Sequence, residues 1–156
     1  MSSVSSGNCW IAAANSDFFI EGDRFHTGFS LEYLDAYERA TGDTWFHGAL
    51  ERGLAYELEN FFTAAGEPKY EDNQTYPIDI HAPAQLVITL VRLGRLREHQ
   101  ELVDRVLAWT IRHMQDPRGF FYEQKGRSLT CRAPFMRWAQ AWMFLALALY
   151  EVYGQE

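Results

Sequence analysis

Cysteine, positive charge and long apolar runs are all scarce in this chain of 156 residues. Its two cysteines, Cys9 and Cys131, have no metal-binding spacing and favour a reducing compartment such as a bacterial cytosol. A net charge of -7 argues against nucleic acid or an anionic membrane as the main partner. The most apolar run, 141–150, is too short to cross a bilayer, and the first residues do not resemble a signal peptide. A cytoplasmic protein is therefore predicted.

The composition indicates a folded chain, because 47% of the residues are hydrophobic and 15% are aromatic. The length suits a single domain, 1–156. Charge is uneven, with a balance of -9 over residues 1–75 and +2 over residues 76–156. Opposed halves favour side-by-side association, although an uneven solvated surface is the commoner meaning.

Hydrophobic periodicity predicts five helices after an irregular segment 1–22, at about 28–41, 43–62, 82–93, 97–115 and 134–153. Asp43 is expected to cap the second helix. Three predicted helices end at a glycine, Gly42, Gly94 or Gly154, which fits a left-handed C-terminal cap. Lys125-Gly126 indicates a short β-hairpin near 120–131. Helices that are apolar on nearly all sides alternate along the chain with helices that have a single apolar face. The predicted class is therefore all-α, built from antiparallel helical hairpins.

A weak repeat of about 55 residues relates three helix openings. His26, His81 and Met136 fall in register, as do Ser30, Gln85 and Gln140. The repeat predicts stacked hairpins. Unrelated helices of similar length remain the alternative.

The stretch from Tyr76 to Gln85, Y-P-I-D-I-H-A-P-A-Q, places polar groups at the start of the most apolar helix. Pro83 suits a first helical turn, where its missing N–H costs nothing. Polar side chains at the positive end of a buried helix make a candidate small-molecule site.

Three segments carry a resemblance to a known family: F-H-T-G-F-S-L-E-Y-L, Y-P-I-D-I-H-A-P-A-Q, and G-F-F-Y-E-Q-K-G-R with P-F-M-R-W-A-Q-A-W-M. The chain resembles the (α/α)6 toroids, the six-hairpin glycosidase and N-acylglucosamine 2-epimerase-like proteins associated with bacterial polysaccharide enzymes. It is about half the length of a complete ring, so the resemblance implies a partial toroid. Uncovered flanks of its inner helices would then favour a homodimer.

The resemblance implies a sugar pocket at the N-terminal ends of the inner helices. Its catalytic candidates are Asp79 as acid/base, then Asp23 and His81. Its substrate-binding candidates are His26, Tyr76, Gln85, Arg137, Trp138 and Gln140. The expected ligand is a small saccharide or a uronate, and the activity is that of a glycoside hydrolase, a lyase or a sugar epimerase.

Several of these candidates also have a structural interpretation. Asp79 is equally well explained as a helix cap, and the two histidines as hydrogen-bonded packing residues. Arg137 could form an internal ion pair with Asp79 or Asp23, and Trp138 and Trp142 could be core. The sequence contains no metal-binding pair, phosphate-binding glycine loop, nucleophile elbow or nicotinamide fingerprint, so neither metal nor cofactor is predicted. A non-catalytic toroid fragment that binds a partner or itself is the alternative function.

Overall fold

The computed structural model describes residues 24–154, and the predicted irregular segment lies outside them. This part of the chain is mostly helical, as predicted. Its helices are α1 (Arg24–Thr41), α2 (His47–Asn60), α3 (His81–Arg92), α4 (Gln100–Met114) and α5 (Ala141–Tyr153). A short 3₁₀-helix, Arg97–His99, precedes α4. One turn of π-helix, Met136–Gln140, called the π turn below, leads into α5.

A small antiparallel sheet accompanies the helices. Its strands, in spatial order, are β1 (Ile78–Asp79), β2 (Gln124–Lys125) and β3 (Thr130–Cys131). The β2–β3 pair is the predicted hairpin, closed where the Gly126 N–H donates to the Leu129 carbonyl at 2.7 Å. Strand β1 was not predicted, because two residues are too few to show an alternating pattern.

Helix α3 is the centre of the fold. Every residue from His81 to Leu90 is buried, since α1, α4 and α5 pack around this helix. The apolar run that follows Pro83 explains this position, because a helix with no polar face is stable only when it is enclosed. Helix α2 packs on α1 in a second layer.

Two predicted helix starts and one predicted C-terminal cap are wrong. Helix α1 was expected from about residue 28 but already includes Arg24. The Asp43 carboxylate accepts the Trp45 N–H at 3.0 Å, so it caps the turn before α2, which begins only at His47. Gly42 and Gly94 have the predicted left-handed conformation, with φ of 72° and 70°. Gly154 does not, because its φ of -84° continues the right-handed helix by one residue.

The burial of several side chains differs from the hydrophobic pattern of the sequence. The charged Glu57 on α2 is buried, and the apolar Ile111 on α4 is 43% exposed. Helix α5 was predicted to be enclosed, but Phe144 is 75% exposed and Leu145 is 41% exposed. No element packs on that side of α5 within residues 24–154. None of the helices described here is both long and apolar enough to cross a membrane.

The beginnings of α1, α3 and α5 lie close together. A Cβ on Gly28 would stand 2.7 Å from Cγ of Gln85, so the first turns of α1 and α3 are in contact. Phe29 packs edge-on against Trp142 at 5.8 Å, which brings the start of α5 to the same end. The three helix openings that share the weak sequence repeat therefore meet on one side of the protein.

Candidate functional site

Asp79 and His81 form a carboxylate–imidazole pair at the start of α3. Oδ1 of Asp79 accepts the backbone N–H of His81 at 2.9 Å and lies 2.6 Å from Nδ1 of its ring. Strand pairing sets Gln124 opposite Asp79, and its side-chain amide donates to Oδ2 at 3.3 Å. The N-cap of α3 is Ile80, which makes no side-chain cap hydrogen bond, so Asp79 is not the predicted cap but binds the backbone and ring of His81 from an Asx turn before the helix.

Asp79 is an ionised carboxylate at neutral pH. Burial would raise its pKa, but hydrogen bonds from the His81 side chain and backbone and from Gln124 outweigh burial, and the pKa lies below its ordinary value. An ionised carboxylate only accepts hydrogen bonds, so Nδ1 of His81 carries the proton that faces it. An ionised Asp79 can act as a base or orient His81, but it has no proton to donate as an acid.

Two tryptophans surround the His81 ring. Trp138 and Trp142 both meet it edge-to-face, with ring centroids 5.9 and 5.8 Å away. His81 is 9% exposed beneath them, whereas Trp138 is 55% exposed. The accessible part of this cluster consists of the Trp138 indole and the Asp79 carboxylate, whose side chain is 30% exposed.

Two of the predicted substrate-binding residues are engaged within the protein. Gln140 accepts the N–H of Phe121 at 2.9 Å and donates to its carbonyl at 2.7 Å, so it fixes the chain ahead of the hairpin. The Tyr76 hydroxyl donates to Glu67 at 3.2 Å, and its ring lies beneath Arg127. Both hydrogen-bonding groups therefore have protein partners.

The outcome differs for Arg137, Asp23 and His26. Arg137 is exposed and forms no ion pair within residues 24–154, so of its two possible ion pairs the one with Asp79 is not formed. Asp23 lies outside the described residues, as does the side chain of His26. Among the candidates that the structure describes, it brings Asp79, His81 and Trp138 into contact.

Gln85 belongs to a second, fully buried polar group between α1 and α3. Its amide donates to Glu32 at 2.7 Å, and the Thr89 hydroxyl donates to the same carboxylate oxygen at 2.8 Å. The other oxygen of Glu32 pairs with Arg92, whose side chain is 58% exposed. This Glu32 network joins the two helices and has no exposed acceptor to offer a ligand. Gln85 is thus better explained as a packing residue than as a sugar contact.

No family model, curated protein or solved structure matches the chain. Its function is therefore inferred from the geometry of the described residues.

Three contributors to the site were missed in the sequence. Gln124 and Trp142 contact the Asp79–His81 pair, and Glu32 organises the neighbouring network. Gln124 carries no local signal, because only the pairing of β1 with β2 brings it to Asp79. Trp142 did carry one, since its spacing of four from Trp138 puts both rings on the same side of a helix.

A separate cleft of about 230 Å³ lies at the opposite end of α3. Its charged lining residues are already paired, including Arg39 with Asp35 and Arg95 with Glu51. Within residues 24–154 no cluster of histidine, cysteine, aspartate or glutamate is placed to hold a metal ion. Neither feature competes with the Asp79–His81–Trp138 group as the candidate site.

The low pKa of Asp79 predicts a specific dependence of stability on pH. Because the folded-state pKa is depressed, Asp79 stabilises the fold above its unfolded pKa near 3.8, and this contribution is lost as the pH falls through the lower folded value. The difference in unfolding free energy between wild type and Asp79→Asn should therefore be constant above pH 5 and shrink below pH 4. Urea unfolding between pH 3 and pH 7 measures it, and a difference that persists undiminished at pH 3 contradicts the assignment.

Proposed function

We propose that the protein binds a saccharide at the surface formed by Trp138 and Asp79, with His81 as the buried support. The observation that carries the proposal is the half-exposed indole of Trp138 standing against an imidazole held by an ionised carboxylate. An apolar ring face beside a few fixed polar groups suits a sugar ring, which has apolar C–H faces and a rim of hydroxyls.

The fold that goes with this function is a partial α/α toroid. The convergence of three helix openings on one side of the protein supports it, because sugar sites in the toroids that this chain resembles are built from such openings. A cytoplasmic location fits the scarcity of cysteine.

If the protein also acts on the sugar, Asp79 is its base. It would take a proton from a hydroxyl or a water, since it is ionised at neutral pH and its carboxylate is partly accessible. This role fits a hydrolase, a lyase or an epimerase, and the proton donor is then a different group.

Saccharide binding can be tested by a thermal-shift screen of neutral and uronate oligosaccharides, followed by calorimetry on the best ligand. Trp138→Ala should weaken binding at least about tenfold, because the indole supplies the stacking surface. Trp45→Ala is the matched control, since Trp45 is 72% exposed but lies beside α2, and it should bind as wild type does. The absence of a shift with any saccharide, or equal losses in the two variants, rejects the proposal.

Asp79→Asn separates binding from chemistry. Asparagine keeps an oxygen for the backbone N–H of His81 but removes the charge, so the unfolding free energy should stay within about 1 kcal/mol of wild type. A base role predicts a fall of about 10²-fold in turnover of the sugar identified by the screen, with little change in its affinity. Unchanged turnover excludes Asp79 as the base.

We propose self-association as a second function, that of a non-catalytic module that forms a homodimer. The exposed apolar side of α5 favours it, because such a surface in a stable protein normally meets a partner. A molar mass of one chain in light scattering at micromolar concentration argues against it.

A further inference from the structure

The outer side of α5 forms a continuous apolar stripe. Five exposed residues lie at helical spacing along it, namely Ala141, Phe144, Leu145, Ala148 and Val152. Met136, 74% exposed, extends the stripe into the π turn. The rings of Trp138 and Trp142, on the same segment, contact His81.

The charges at the two ends of the stripe are opposite. From Pro134 to Tyr153 the sequence contains one basic residue, Arg137, and one acidic residue, Glu151. Both are exposed, one at the start of the helical segment and the other near its end. A parallel pair of such helices would bring like charges together, whereas an antiparallel pair brings each arginine to the glutamate of the other copy.

The sizes of the stripe residues are self-complementary in the same way. In an antiparallel pair with its axis between Phe144 and Leu145, the small Ala141 of one copy faces the small Ala148 of the other. Phe144 then faces Leu145, and the arrangement occurs twice, as a two-fold interface requires. Small residues opposite one another let the helices approach closely, while the large pairs fill the centre.

We propose that α5 is a dimerisation helix, which pairs through this stripe with α5 of a second copy in antiparallel orientation, with Arg137 of each copy beside Glu151 of the other. The inference rests on the proposed self-association and specifies its surface and geometry. It gives Arg137 a protein partner in place of the saccharide acid predicted from the sequence.

Sedimentation velocity of the full chain between 1 and 200 µM tests the interface. Wild type should dimerise, and Phe144→Asp should raise the dissociation constant by at least about 100-fold, because it places a charge at the centre of the apolar stripe. Phe144 makes little contact within its own chain, so circular dichroism of the monomeric variant should match wild type. Leu129→Asp is the control, since Leu129 is 84% exposed on the hairpin turn, and it should remain dimeric.

Charge exchange tests the orientation. Arg137→Glu and Glu151→Arg should each weaken the dimer about tenfold or more, and the double variant should restore most of the affinity. A dimer that survives Phe144→Asp overturns the α5 interface but keeps self-association. A dimer that is lost in Phe144→Asp but not restored by the double variant overturns the antiparallel pairing. A monomeric wild type across the whole range overturns both the interface and the proposed self-association.

Discussion

Replacing Glu32 with alanine is expected to lower the free energy of unfolding by about 3 to 5 kcal/mol. The carboxylate is buried between α1 and α3, where it accepts hydrogen bonds from Gln85 and Thr89 and pairs with Arg92. Alanine would remove the acceptor of the Thr89 hydroxyl and leave the Gln85 amide with only the Thr89 oxygen, 3.0 Å away, in a space closed to water. Each orphaned polar group costs about 1 to 3 kcal/mol, and the cavity adds to the loss.

The loss should appear as a fall in melting temperature of roughly 6 to 20 °C in calorimetry, given a change of about 2 to 4 °C per kcal/mol for a chain of this size. Glu101→Ala is the matched control, because Glu101 sits on a helix, is 96% exposed and is 3.9 Å from its partner Arg105. Its effect should stay within about 0.5 kcal/mol. Equal effects at the two positions would show that the Glu32 network contributes nothing specific to the fold.

Glu32→Gln distinguishes hydrogen bonding from charge in this network. Glutamine keeps the volume and one carbonyl oxygen for the amide and hydroxyl donors, and loses only the ion pair with Arg92. Because Arg92 is more than half exposed, water can replace the carboxylate as its partner. A loss of about 1 kcal/mol is therefore expected.

The Glu32 network also shows where sequence reasoning stops. Gln85 stood out in the sequence as a polar residue one turn inside an apolar helix, and it was assigned to a ligand site. Its buried partner was not predicted, because Glu32 lies 53 residues earlier in a helix with two other acidic residues, Asp35 and Glu38. Only the packing of α1 on α3 selects one carboxylate from that group.

Local signals predicted the elements well. Continuous apolar residues after Pro83 indicated α3, and Gly42 and Gly94 marked the ends of α1 and α3, because each of these patterns acts within a few residues. The start of α2 was wrong for the opposite reason. Asp43 is a residue type that often caps helices, but its carboxylate accepts the N–H of Trp45 in the turn before α2.

Local sequence signals indicated part of the candidate site, whereas contacts between distant elements supplied the rest. The contact between Asp79 and His81 spans two residues, and the sequence placed both correctly. Trp138 reaches them only through the packing of the π turn and α5 against α3, and the weak 55-residue repeat was the one signal for that meeting. The exposed stripe on α5 has no local signal, because exposure depends on which elements are missing from its outer side.

Gly66→Ala is expected to destabilise the protein by about 2 to 5 kcal/mol. Gly66 has a φ of 84°, a left-handed conformation that costs an alanine about 1 to 2 kcal/mol. A Cβ there would also stand 2.5 Å from the carbonyl oxygen of Arg105 and 2.9 Å from the amide nitrogen of Val106, both in the backbone of α4. A helix backbone cannot turn aside as a flexible side chain can, so the loop or the helix must move, which adds about 1 to 3 kcal/mol.

Gly94→Ala separates these two contributions. Gly94 has a nearly equal φ of 70°, but a Cβ there would meet nothing within 4 Å. Its substitution should therefore show the conformational cost alone, about 1 to 2 kcal/mol, and the excess at Gly66 measures the contact with α4. Urea unfolding of both variants gives the comparison. Indistinguishable losses would mean that the connection between α2 and β1 is not held against α4 in solution, and the close packing of that loop would have to be abandoned.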